Sequence, residues 1–184
     1  MGHKFSEIAF TPSVKALQAQ DGSRRSYARL EVGQDHHDQI GPAEAQFIAA
    51  RDSFYMASTS ETGWPYIQHR GGPKGFLQVV NSKELGFADL SGNRQFITRG
   101  NLMGDDRVSL FLMDYPNRSR LKIFGRARVS EDPELITKLT MPAYGAKVER
   151  AVLITLEAFD WNCPKHITPR YTVEELQALR EMIQ

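Results

Sequence analysis

One cysteine, Cys163, stands among 184 residues, so no intrachain disulfide can staple this chain. Long apolar runs are missing too; none approaches the roughly 20 residues a helix needs to cross a bilayer. Met1 to Phe10 has a Lys but no apolar core behind it, so no secretory leader is expected. Neither sign of charge is in excess. Lys plus Arg is 23 and Asp plus Glu is 22, a formal net charge of +1, which does not fit a polybasic binder of nucleic acid or of a membrane surface. The chemical signatures that are easiest to read are absent as well: no P-loop, no dinucleotide glycine fingerprint, no zinc-protease helix, no cysteine pairs at zinc spacing and no nucleophile elbow. What is present is ordinary globular material, 41% hydrophobic and 24% charged, enough for one compact domain. A cytoplasmic enzyme or binding protein fits all of this.

Residues 1–41 read as an extension with one short helix, opened by Thr11 and Pro12 and running through Leu17, followed by a turn at Asp21-Gly22-Ser23. Gln34 to Gly41 is polar and reads as an exposed loop. Pro42 to Arg51 reads as a helix. From Ser53 the pattern turns to β. Phe54 to Thr59 and Tyr66 to Arg70 form a hairpin around Gly63, and Phe76 to Val80 and Leu85 to Leu90 follow as the next two strands. Gly92 to Leu102 reads as a short helix. Arg107 to Tyr115 is apolar on both faces, as in a strand covered on two sides. Leu121 to Val129 alternates cleanly, Asp132-Pro133 opens a helix, and Ala151 to Phe159 is the last long strand. Thr172 with Glu175 makes a capping box before an apolar stripe of Val173, Leu176, Leu179 and Ile183, the C-terminal helix of residues 171–184. Six or seven strands without regular helical crossovers predict a mainly β fold with peripheral helices, an antiparallel sheet closed into a small barrel.

The run Asp35-His36-His37-Asp38 has metal-ligand residue types, but adjacent residues rarely converge on one ion, so it reads as a solvated loop. Cys163 with His166 has no evident third group to orient it as a nucleophile–base pair. Three basic, amide-rich places carry more. Arg70-Gly71-Gly72-Pro73-Lys74-Gly75 sets two cations around unshielded backbone N–H groups, the combination a phosphate wants. Asp89 to Gln95, with Arg94, lies between a strand and a helix start. Asn117-Arg118-Ser119-Arg120 opens the alternating strand. Each alone also reads as a surface turn; together they favour a phosphorylated ligand, with Trp64, Tyr66, Phe76, Phe87 and Trp161 either walling a flat ring or filling the core.

The order of these parts resembles the pyridoxamine 5'-phosphate oxidase-like family of FMN-binding split barrels. It runs from Pro65-Tyr66-Ile67-Gln68-His69-Arg70, through Leu85-Gly86-Phe87-Ala88-Asp89 and Gly92-Asn93-Arg94-Gln95, to Asp106-Arg107, Leu112-Met113-Asp114-Tyr115 and Arg118 to Arg126. The similarity spans about Pro42 to Arg170. It implies a six- to seven-stranded antiparallel split β-barrel over residues 42–170, and a homodimer holding FMN at the subunit interface. By the same resemblance, Gln68, His69 and Arg70 match the strand that lends residues to the flavin and its phosphate. Ala88 and Asp89 stand where the family has Thr-Asn, and Asn93, Arg94 and Gln95 where it has Ser-Arg-Lys. Arg120 takes the place of a flavin-reaching Gln, and Trp161, with Arg170, that of C-terminal residues from the partner. Lys74 supplies a cation in place of the Lys replaced by Gln95. The ending Cys163 to Arg170 departs from the substrate-holding pattern of the vitamin B6 oxidases, so that activity is not implied. The function implied is an FMN-dependent oxidoreductase acting on a small molecule or a nicotinamide. Arg120 or Gln68 would stabilise charge at the N1–C2=O edge of the flavin. A flavin carrier or sensor, or a haem or deazaflavin binder on the same barrel, are the alternatives.

Overall fold

The computed structural model of the chain describes every residue except Met1, Asp35, Asn162 and Gln184, and all side chains of the described residues except that of Ile183. Asp35 of the Asp-His-His-Asp run and the Ile183 position of the C-terminal stripe therefore lie outside the described residues.

Seven strands form one antiparallel sheet: β1 (Ser53–Thr59), β2 (Pro65–Gly71), β3 (Gln78–Asn81), β4 (Glu84–Leu90), β5 (Arg107–Asp114), β6 (Ser119–Ser130) and β7 (Val148–Trp161). Their spatial order is β2-β1-β5-β6-β7-β4-β3. The sheet rolls over onto itself. Phe54 on β1 meets Phe87 on β4 with ring centroids 5.4 Å apart, although β5, β6 and β7 lie between them in the sheet. The outer edges β2 and β3 share no ladder, so the barrel is split, which corrects the closed barrel expected from periodicity alone. The interior is apolar. Phe54, Met56, Leu85, Phe87, Leu110, Leu112, Leu121, Ile123 and Ile154 are buried, each contributing about 1.5–3 kcal/mol by leaving water. β5 departs from its expected two-sided cover. Val108, Leu110 and Leu112 enter the core, while Phe111 and Met113 stay half-exposed on the outer face.

Helices close the periphery: α1 (Lys4–Ala9), α2 (Pro12–Gln20), α3 (Arg24–Ala28), α4 (Pro42–Ala49), α5 (Ile97–Gly104), α6 (Pro133–Leu139) and α7 (Val173–Ile183). Their starts follow local chemistry. Pro12, Pro42 and Pro133 each sit in a first turn that needs no proline N–H. Thr11 accepts from Val14 N, Glu44 reaches back to Gly41 N and Asp132 accepts from Glu134 N. α1 and the stretch around His37 pack on β6 and β7. Phe5 stacks on Phe124 at 4.5 Å, His3 lies 4.0 Å from the His37 ring, and His37 stacks on Phe159 at 4.8 Å. Asp38 pairs with Lys83 at 2.7 Å, and this hydrogen bond holds the Asp38 carboxyl below its ordinary pKa. The segment read as a solvated loop is thus strapped to the barrel; the aromatic surfaces on both sides of His37 outcompete water for its ring. The capping box before α7 forms through both reciprocal hydrogen bonds, but the apolar stripe of α7 is exposed, Val173 at 66% and Leu176 at 45%. No helix is long and apolar enough to cross a membrane among the described residues.

Candidate functional site

The split in the barrel is where charge collects. Strand alternation sends Tyr66, Gln68 and Arg70 of β2 to the inner side of the sheet and Ile67 and His69 to the outer side, paired with Ala57 and Tyr55 of β1. Across the split, β4 ends in Asp89-Leu90, and the chain from Ser91 to Phe96 stays irregular. Arg94 and Phe96 adopt the left-handed region, with φ of 59° and 55°. The helix therefore begins at Ile97 and not at Gly92, and neither Ser91 nor Asn93 caps it; Asn93 Oδ1 accepts from Gln95 N instead. Phe96 offers no capping oxygen, so the first turn of α5, whose Ile97, Thr98 and Arg99 border the cavity beside it, has no side-chain cap.

That cavity is about 100 Å³ and is lined by four guanidinium groups, Arg70, Arg94, Arg99 and Arg150, against the carboxylates of Asp89 and Glu149. Arg70 donates to Asp89 Oδ1 at 3.1 Å, and Arg150 lies 3.9 Å from Asp89 Oδ2. Arg150 also donates twice to Glu149, at 3.0 and 2.8 Å, and Arg94 approaches Glu149 at 4.0 Å. Arg99 reaches Glu131 at 3.3 Å. Thr98 donates to Gln68 Oε1 at 2.8 Å, a second bridge across the split. The Nε atoms of Arg70 and Arg150 are buried and have no hydrogen-bond partner. Such orphaned donors on a cation cost free energy unless an anion completes them.

Of the residues expected from the sequence, Gln68, Arg70, Asp89, Asn93, Arg94 and Gln95 line this one cavity. The others lie elsewhere, each for a local reason. His69 faces outward by alternation and meets the edge of the Tyr55 ring at 5.5 Å. Lys74 is carried away because Gly72 N and Gly75 N bond back to Asp52 O and Arg51 O, so it borders a cleft with Arg51 and Asp52. Ala88 lines a small apolar space with Phe76 and Leu139. Trp161 donates from Nε1 to Glu44 at 2.9 Å and packs edge-on against Phe47. Arg120 belongs to an outer-face groove of about 570 Å³ whose floor holds Tyr55, Phe111 and Tyr115, with His166 and Arg170 at its rim. Its guanidinium lies 5.8 Å from the Phe111 ring centroid, and that of Arg170 lies 5.0 Å from Tyr115. The aromatics divide: Phe76 and Phe87 are core, Tyr66 lines the cavity, and Trp64 is 75% exposed at the hairpin tip. Cys163 is exposed, and no group of side chains able to hold a metal ion occurs among the described residues.

Arg150, Glu149 and Arg99 are the charged cavity residues that sequence reading does not find. Arg150 opens β7 opposite Asp89, so only the pairing of two distant strands brings it to the site. The one local signal was a Glu-Arg pair just before the apolar run Ala151 to Ile154.

A family model described as pyridoxamine 5'-phosphate oxidase matches residues 40–170. No curated protein matches the sequence. Among solved structures, Group A Streptococcus HupZ is 13% identical with a TM-score of 0.55, covering 72% of this chain and 99% of its own. An FMN-binding protein from Syntrophomonas wolfei is 6% identical with a TM-score of 0.51, covering 79% and 97%. General stress protein 26 from Bacillus anthracis is 12% identical with a TM-score of 0.50, covering 63% and 88%. At these identities the likeness is one of fold: each is similar to this chain in the split-barrel architecture. With the family model spanning the whole barrel, the chain belongs to the pyridoxamine 5'-phosphate oxidase family.

Proposed function

We propose that this protein is an FMN-binding flavoprotein that works as a homodimer, an oxidoreductase for a small organic molecule or a nicotinamide. The observation that carries the reading is the guanidinium-lined cavity at the split, with two buried Nε donors that make no hydrogen bond. That donor set suits the phosphate end of the cofactor. The cavity volume, about 100 Å³, is far below the roughly 300–1,000 Å³ of typical small-molecule sites, so the ring system needs a second surface. The outer-face groove of about 570 Å³ has the size and the aromatic floor for it. It lies on the opposite face of the sheet from Gln68 and Arg70 within one chain. Phosphate seat and ring surface come together when a second copy sets its outer face against the cavity, which supports the homodimer. In that arrangement Gln68 and Arg120 would reach the ligand from different subunits.

Bound FMN supplies hydride and single-electron chemistry. The chain's share is to anchor the phosphate through Arg70 and Arg94 and to place cations of the groove near a ring edge that gains negative charge. None of the described histidines lines the cavity; His166 lies at the groove that would take the ring. The test is an absorbance spectrum of the purified protein before and after FMN is added and the excess removed. Bands near ~370 and ~450 nm, released as FMN on denaturation, are expected. Anaerobic reduction by NADH or NADPH faster than that of free FMN then separates an oxidoreductase from a carrier or sensor. A Soret-type band would replace FMN by haem, and a colourless protein that no FMN saturates would sink the flavin reading.

A further inference from the structure

Arg150 is 8% exposed, the deepest charge in the cavity, and its place there comes from the pairing of β7 with β4. Its Nη1 and Nη2 both donate to Glu149, Nη1 also lies 3.9 Å from Asp89 Oδ2, and its Nε, 4.0 Å from Glu131 Oε1, makes no hydrogen bond. Arg70 repeats the pattern from the other edge, one donor on Asp89 and a buried Nε without a partner. Asp89 thus stands between two guanidinium groups from opposite sides of the split, where a tetrahedral anion would sit. A carboxylate offers two oxygens there; a phosphate offers three around one centre and can take both forks at once.

We propose that Arg150 is a phosphate-binding residue of this site and that Asp89 is the internal anion it exchanges for the ligand. This rests on the reading of the cavity as the phosphate seat. On binding, Arg70 and Arg150 turn from Asp89 to the phosphate, and the two orphaned Nε donors acquire an acceptor. The carboxylate left behind opposes the incoming charge. Asp89 therefore sets the affinity downward, making the site selective for a terminal phosphomonoester over any ligand too weakly charged to displace it.

The test uses the full chain and titrates it with FMN, with riboflavin, which lacks the phosphate, and with inorganic phosphate. Arg150→Gln should weaken FMN about tenfold or more and leave riboflavin unchanged. Asp89→Asn should tighten FMN several-fold with riboflavin again unchanged, a gain that misfolding cannot imitate. The proposal is overturned if Arg150→Gln leaves FMN affinity alone, if both flavins shift together, or if Asp89→Asn weakens FMN. Should the wild type bind neither flavin, the cofactor reading fails on its own. Thermal stabilisation by inorganic phosphate then decides: a shift present in the wild type and lost in Arg150→Gln sustains the anion site, and no shift in the wild type refutes it.

Discussion

Replacing Asp114 by Ala should destabilise the barrel by about 3 kcal/mol. Asp114 ends β5 and is 7% exposed. One oxygen accepts from Arg51 at 2.9 Å, and the other accepts from the backbone N–H of Asn117 at 3.0 Å and from its side chain at 3.1 Å. The substitution strands a largely buried guanidinium and opens the turn that carries the chain into β6 and Arg120. Breaking a buried pair costs about 3–5 kcal/mol, and the low end applies because Arg51 keeps its bonds to the carbonyls of Phe47 and Met113. With a urea m-value of about 2 kcal/mol/M, the unfolding midpoint should fall by about 1.5 M at pH 7. The pH dependence gives a second check. Burial pushes the Asp114 carboxyl up, but the Asn117 hydrogen bonds and the Arg51 charge outweigh it, and its pKa lies below the ordinary value. A group lowered in the folded state adds stability above its unfolded pKa, about 3.9, and loses it as pH falls through the folded value. The wild-type advantage should therefore be full at pH 7 and shrink below about pH 4. A midpoint shift under about 0.3 M at pH 7, or an advantage that persists undiminished in acid, would refute the reasoning.

Four further substitutions probe other parts of the fold. Gly125→Ala should cost about 2 kcal/mol or more, read by thermal melting, because a Cβ there would meet the Thr155 carbonyl oxygen and Ile154 Cγ2 at 2.7 Å; Gly86→Ala, which meets only leucine methyls at 3.0 Å, should cost less. Phe5→Ala removes the stack on Phe124 and the Lys122 ammonium above the ring. It should make the first forty residues sensitive to limited proteolysis while the barrel stays resistant. Glu175→Ala breaks the bond to Thr172 N and should fray the start of α7, about 1 kcal/mol locally, seen as faster amide exchange in its first turn with no change in the sheet.

The strands were legible where one face was oily and the other polar. β6 alternates in sequence and in burial alike. The reading faltered where the two faces are chemically similar. Phe111 and Met113 look like core, yet they form an outer groove, since nothing in a residue's type says which face of an apolar strand meets the interior. It faltered again at Gly92 to Phe96, where left-handed Arg94 and Phe96 delay the helix; neither residue type favours that conformation. The candidate site was half legible. Arg70 and the stretch from Asp89 to Gln95 were found by charge and glycine content, but the same logic gathered in Lys74, and the family resemblance gathered in His69, which one turn and one strand position send elsewhere. Arg150 needed the β4–β7 pairing, a long-range contact with no local pattern.

A barrel whose seam is spanned by an ion pair and by the side-chain bonds of Thr98 to Gln68 and Asn101 to Ser58, and by no ladder between β2 and β3, has a zip rather than a weld. Its two lips come from the first hairpin and from the β4 end of the sheet, so any anion gripped by both is a crosslink between chain segments that are otherwise joined by side chains alone among the described residues. Filling the seam should therefore stiffen the whole circumference, and hydrogen exchange along β2 becomes a gauge of occupancy even where no chemistry is being watched.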